Sequence, residues 1–329
     1  MNSTVWPTIM RRISQKKGTT SIQYAKILNE FCSILKIVPG SVSGAERMLQ
    51  LSESEVVEYY DSIRSKPGVT PRGEFGEYSS ESVGKSYTAS AATLNKKLTV
   101  MRWAFKQLFE AGLIAKNPFH FVAIPNPKAD RRRPPNVIPF EKCRAMLDLF
   151  KSEHPEDLQD HALLSCMLGG GLRAGELVKL RISDFQKSET GTVFLLLRNT
   201  KAGRDEEQAL AHWAALSVAR WVAKRFEAGA NQEDSLFCGR LRKGNHQPGI
   251  HVRTIGRKVK LWCKRVDLDP KFFSPHSNRH TAITKLVSDQ DHHIVKIQKF
   301  ARHRSIQTTM EYCHAFEDLH ESAGIKLAF

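Results

Sequence analysis

No two of the six cysteines (Cys32, Cys143, Cys166, Cys238, Cys263 and Cys313) form a Cys-x-x-Cys pair. That argues against a zinc ribbon and a disulfide framework, and fits a reducing compartment. Long apolar runs are missing too. The opening MNSTVWPTIMRRISQKK has no signal-peptide core, and no segment approaches the roughly 18 consecutive apolar residues of a membrane helix. The expectation is a soluble, cytoplasmic protein with no membrane partner. Acidic charge is also short, with 34 Asp and Glu against 50 Lys and Arg and a formal net charge of +16. Nor is the excess a basic tail: residues 1–134 carry 20 basic against 11 acidic residues, and residues 135–329 carry 30 against 23. Two basic halves suggest a long polyanion held by both, nucleic acid first, with membrane surfaces and acidic proteins still open.

What is present is mostly helical pattern. TTSIQYAKILNEFCSILKI spaces its apolar residues as a helix, SESEVVEYYDSIRS opens with a Ser-x-x-Glu capping box, and TASAATLNKKLTVMRWAFKQLFEAGLI predicts a long amphipathic helix with Gly112 as C-cap. A Gly- and Ser-rich stretch, residues 68–86, interrupts the first half. IPNPKADRRRPPNVIPF combines prolines with a triple arginine and reads as a linker, residues 125–138, between a domain of residues 1–124 and one of residues 139–329. The second half predicts helices at PFEKCRAMLDLFKS and QDHALLSCMLGGGLRAGELVKL. Two strands follow around a Lys-Ala-Gly turn in GTVFLLLRNTKAGRDEEQALA, then more helices. The fold class is mainly α with a small β-sheet in the second domain, and Trp213 is expected in the core.

SPHSNRHTAI puts His276, Arg279 and His280 on one helix face. The His-x-x-x-His spacing suits a metal, but Ser277 stands where a metalloprotease helix has its glutamate, and Arg279 would repel a divalent ion. An anion is the better guest, although a short basic cluster can be simply a solvated face. Four further fragments bear on the choice: GGGLRAGEL with Arg173 and Glu176, RNTKAGR with Lys201, FARHRS with His303, and TTMEYCH with Tyr312 nine residues later.

Arg, Lys, His-x-x-Arg, His and Tyr in this order and spacing resemble the tyrosine recombinase (integrase) family. The resemblance covers residues 139–315, and SAATLNKKLTVMRWAFKQLFEAGLIAKNP is similar to the family's helical core-binding domain. It implies a two-domain architecture, a helical DNA-binding domain followed by a mixed catalytic domain. It also implies a site-specific recombinase that clamps double-stranded DNA and cuts and rejoins strands through a 3′-phosphotyrosyl intermediate, without metal, cofactor or ATP. The catalytic set it implies is Arg173, Lys201, His276, Arg279, His303 and Tyr312. Tyr312 is then the nucleophile, Arg173 and Arg279 clamp the phosphate, Lys201 is the general acid, His276 assists the tyrosine and His303 donates to the phosphate. Glu176 orients the site and His280 supports it. The resemblance further implies a tetrameric synapse on two DNA sites, with a C-terminal tail docking on a neighbour.

The residue types suit the chemistry. Phosphodiester cleavage builds negative charge on the non-bridging oxygens, and a planar, permanently charged guanidinium is a preorganised partner for it. One departure from the pattern is Ala301-Arg302, where the family has Leu-Gly before the last histidine. Relaxation by a type IB topoisomerase, a non-catalytic DNA-binding protein on the same scaffold, and a basic transcription regulator of unrelated fold are the other readings.

Overall fold

The computed structural model describes residues 4–16, 18–67, 86–123, 136–200, 203–239, 248–289 and 292–313. Lys201, the triple arginine, most of the 68–86 stretch and the C-terminal tail lie outside them. The chain divides into two compact units, Met1–Arg132 and Arg133–Phe329.

The first unit contains α1 (Val5–Ser14), α2 (Thr19–Ile34), α3 (Val42–Leu49), α4 (Glu53–Arg64) and α5 (Ala91–Glu110). The capping box of α4 forms as the sequence predicts. Ser52 Oγ accepts from the Glu55 amide, and Glu55 Oε2 accepts from the Ser52 amide at 2.9 Å. On α5, Leu94, Leu98, Met101, Phe105 and Leu108 are buried. The helix ends at Gly112, whose φ of +70° permits the Gly112-to-Phe109 and Leu113-to-Leu108 hydrogen bonds of a Schellman motif. The core centres on Phe31, edge-on to Tyr59 at 5.0 Å and to Phe105 at 6.0 Å, with Phe119 alongside. Two short strands, β1 (Ser65–Pro67) and β2 (Ser86–Thr88), pair antiparallel at the two ends of the inserted stretch.

The second unit begins with α6 (Phe140–Leu147), α7 (Pro155–Gly169) and a single turn, α8 (Ala174–Leu177). A three-stranded antiparallel sheet follows, β3 (Phe185–Lys187), β4 (Val193–Leu197) and β5 (Glu206–Ala209), in that spatial order. The expected pair is present, with Leu197 opposite Glu206. β3 is additional, and its Phe185 faces Leu195. α9 (His212–Glu227) packs on α7, and Trp221 closes the core with its indole N–H donating to the Leu236 carbonyl at 2.7 Å. α10 (Val252–Arg265), α11 (Pro275–Ser288), α12 (Ile294–Ala301) and α13 (Ile306–Cys313) complete the unit.

Two expectations need correction. Trp213 is 43% exposed rather than core, because the buried stripe of α9 runs through Ala214, Val218 and Trp221. The predicted run from Gln159 to Leu180 is no continuous helix, for α7 stops at Gly169 and the chain turns through Gly171 at φ +59°. A Cβ on Gly171 would lie 2.8 Å from the Phe300 ring, so glycine is what lets this turn pack against α12.

Phe31→Ala is expected to destabilise the first unit by about 3–5 kcal/mol, the usual cost of emptying a buried aromatic site. Amide exchange of α2 and α5 in rising urea measures it; a loss below about 1 kcal/mol would show that this ring is not the centre of the core.

Candidate active site

Burial of a polar set in the second unit marks the site. Arg279 on α11 is 1% exposed, and its guanidinium donates to the carbonyls of Gly171 and Ala301. One side chain thus fastens the turn after α7 to the end of α12. Arg173 follows that turn as N-cap of α8, where Glu176 accepts its backbone N–H at 2.8 Å and its Nη1 at 2.7 Å. The second oxygen of Glu176 also accepts from Arg302 Nη2 at 2.6 Å. Two guanidiniums therefore share one carboxylate, and the charge of Arg279 acts on both of them.

Tyr312 on α13 is 5% exposed, packed with Ile283, Ile297 and Ala301. Its hydroxyl is hydrogen-bonded to His280 Nδ1 at 2.5 Å. The His276 ring lies edge-on to His280 at 4.3 Å, and His303 stacks on Tyr312 at 6.0 Å with its Nδ1 3.0 Å from Thr309 Oγ1. Arg173, His276, Arg279, His303 and Tyr312 are thus assembled from segments up to 139 residues apart. Lys201 lies outside the described residues. Its neighbours Thr200 and Arg204 line a cleft of about 1150 Å³ that also takes in Arg173, Glu176, Arg302 and His303.

Burial sets the protonation states. It pushes the Tyr312 phenol up to about 12, against the opposing pull of Arg279 and Arg173. Burial, then the charges of His276, Arg279 and His303, hold His280 down at about 4. Burial and the charges of Arg279 and Arg173 do the same to His303, also to about 4. At neutral pH both imidazoles are uncharged, so His280 Nδ1 can accept the phenol's hydrogen bond. Arg279 is lowered to about 9 by burial and by Arg173 and Arg302, which still leaves it a cation. Burial pushes Glu176 up, but the Arg302 charge and the hydrogen bonds of Arg173 leave it below its ordinary value.

The sequence reading gave His280 a supporting part, and the structure puts it on the tyrosine hydroxyl. Its spacing four residues beyond His276 was visible in the sequence, but not which imidazole α13 would meet. Arg302 entered only as a departure from a pattern. Its side chain is an inward-facing part of the site, 7% exposed.

Comparison with protein-family models matches residues 136–318 to the phage integrase family. The chain belongs to this family. Among curated integrase-family relatives, tyrosine recombinase XerC of Vibrio parahaemolyticus serotype O3:K6 is 25% identical over 225 residues, 68% of this chain and 67% of the relative. XerC of Salmonella typhi is 28% identical over 228 residues, 68% of this chain and 69% of the relative. Solved structures share the fold. The Tn1549 transposon integrase in complex with circular intermediate DNA aligns over 99% of both chains with TM-score 0.67 and 18% identity. A lambda integrase dimer bound to a COC′ core site aligns over 92% of this chain and 91% of that one, with TM-score 0.60 and 14% identity. This integrase-family chain is mainly helical with a small antiparallel sheet.

Because the folded chain holds His280 neutral below its ordinary value of 6.5, the unfolded chain binds a proton that the folded one refuses. Its contribution is present above pH about 6.5 and is lost as pH falls toward about 4. The stability advantage of wild type over His280→Asn, from urea midpoints, should therefore shrink as the solution is acidified through that window. A constant difference would mean that His280 is not held neutral.

Proposed function

We propose that this chain is a site-specific DNA recombinase that cleaves and rejoins strands through Tyr312. The observation that carries the reading is the Tyr312 hydroxyl, bonded to His280 at the edge of a cluster of three guanidiniums. A phenol beside an uncharged imidazole is a nucleophile with its base in place, and fixed cations beyond it suit a phosphodiester.

In the proposed step the Tyr312 oxygen attacks phosphorus while its proton passes to His280 Nδ1. The bond from phosphorus to the 5′-oxygen breaks, and that oxygen takes a proton, which we assign to Lys201, next in sequence to the cleft-lining Thr200. A 3′-phosphotyrosyl link and a free 5′-hydroxyl result. Arg173, partly open to the cleft, contacts the non-bridging oxygens, and Arg279 adds its charge from behind. His303 has Thr309 on one ring nitrogen, which leaves the other for the phosphate. Attack by a second 5′-hydroxyl reverses the step, so the bond energy is kept and no nucleotide is needed. Guanidiniums do the charge stabilisation that a metal would otherwise supply.

DNA is the proposed partner of both units. Arg253, Arg257, Lys260 and Lys264 form an exposed basic face on α10, and residues 1–124 carry their own basic excess. The like-folded Tn1549 and lambda integrases were solved on DNA, which supports this assignment. Exchange between two sites is proposed to use four protomers, with the tail after Cys313 docking on a neighbour. The cytoplasm is the protein's proposed compartment.

The test is covalent capture. The purified chain, in chelator and without nucleotide, is incubated with duplex DNA carrying a candidate site and a nick beside the cleavage point, then run on a denaturing gel. A protein-sized shift of the strand is expected, and its loss in Tyr312→Phe. No adduct on DNA that is demonstrably bound would favour a non-catalytic DNA-binding protein. Relaxation of supercoils without exchange between sites would favour a topoisomerase.

A further inference from the structure

Arg302 ends α12 with φ 49° and ψ 45°, the left-handed region that side chains disfavour. A residue held there against its preference is fixed by its surroundings, and such positions gather at functional sites. What fixes Arg302 is charge. Its Nη2 donates to Glu176 Oε2 at 2.6 Å, and its Nε lies 3.9 Å from Glu206 Oε2. Nε and Nη1 are buried with no hydrogen-bond partner among the described residues. A desolvated guanidinium with open donors at the wall of a cleft is unusual enough to need a reason.

The reason lies in Glu176, the carboxylate that also holds Arg173. We propose that Arg302 is a positioning residue of the phosphate site. By occupying Glu176 Oε2 it offsets the carboxylate and leaves the Arg173 guanidinium free to turn its remaining donors and its charge to the phosphate. This rests on the reading of Arg173 as a phosphate ligand. Without Arg302, Arg173 and Glu176 face each other as a one-to-one pair with little net charge for an anion. With Arg302 present, the carboxylate is shared between two cations. Its loss should therefore be felt at the phosphate even though Arg302 is not the group that bonds it.

Glycine suits the left-handed backbone, so Arg302→Gly removes the charge while relaxing the chain, and Arg302→Lys keeps the charge. The probe is orthovanadate, a mimic of five-coordinate phosphate, titrated into the full DNA-free chain and followed by vanadium NMR. Arg302→Gly should bind about tenfold more weakly, as for loss of one charge-assisted contact in a linked pair. Arg302→Lys should stay within about threefold of wild type. In an Glu176→Gln background the Arg302→Gly change should cost less than about twofold, because the charge that Arg302 offsets has gone. Wild-type affinity in Arg302→Gly overturns the proposal, and so does an equal loss in both backgrounds, which would make Arg302 a direct ligand or a distant charge. Vanadate binding that Arg173→Ala does not weaken would overturn the phosphate site itself, and the part of Arg302 with it. If Arg173→Ala abolishes binding and Arg302→Gly does not weaken it, the site stands and only Arg302 falls. Melting curves separate loss of binding from unfolding, and Arg302→Lys carries the test should Arg302→Gly melt early.

Discussion

The buried guanidinium of Arg279 is the interaction on which the second unit's site depends. Withdrawing a cation from water costs several kcal/mol unless its donors are satisfied. Here the carbonyls of Gly171 and Ala301 satisfy two of them. Those carbonyls belong to segments 130 residues apart, the turn that presents Arg173 and the helix end that presents Arg302 and His303. From the next residue along α11, His280 reaches Tyr312. One buried side chain therefore brings the cations, the imidazoles and the phenol together.

The electrostatics that follow are unbalanced by design of the residue set. Arg173 and Arg302 share Glu176, Arg302 also faces Glu206, and Arg279 adds a third cation to this partly desolvated space; each lowers or raises its neighbours' protonation in the direction expected of its charge. Such a cluster is built to gain from an anion. At neutral pH its Tyr312 is protonated and its His280 and His303 are uncharged. Fixed charge, an uncharged imidazole and a phenol are then all in place in the folded chain, which is the preorganisation that the proposed attack by Tyr312 requires.

Much of this was legible in the sequence because local signals agree with the fold. The capping box at Ser52, the stripe on α5, the Schellman glycine at Gly112 and the antiparallel pairing of β4 with β5 all rest on contacts close in sequence. The order of Arg173, His276, Arg279, His303 and Tyr312 was legible for another reason, since chemistry restricts residue type and spacing together. What escaped depends on tertiary contacts. β3 is three residues long and exists only as a partner of β4. The turn after Gly169 requires glycine at position 171 because the ring of Phe300, from a distant helix, packs against it. Trp213 is apolar yet sits beside the buried stripe. The bond between His280 and Tyr312 spans 32 residues, and the pairing of Arg302 with Glu176 spans 126; no periodicity encodes either.

The central claim is that the covalent link to DNA forms at the Tyr312 oxygen and nowhere else. Protease and nuclease digestion of the trapped adduct, followed by mass spectrometry of the peptides, locates the residual nucleotide phosphate directly. The expected result is phosphate on the tyrosine of the TTMEYC segment, joined through a 3′-oxygen. Phosphate on any other residue, or a link through a 5′-oxygen, would contradict it.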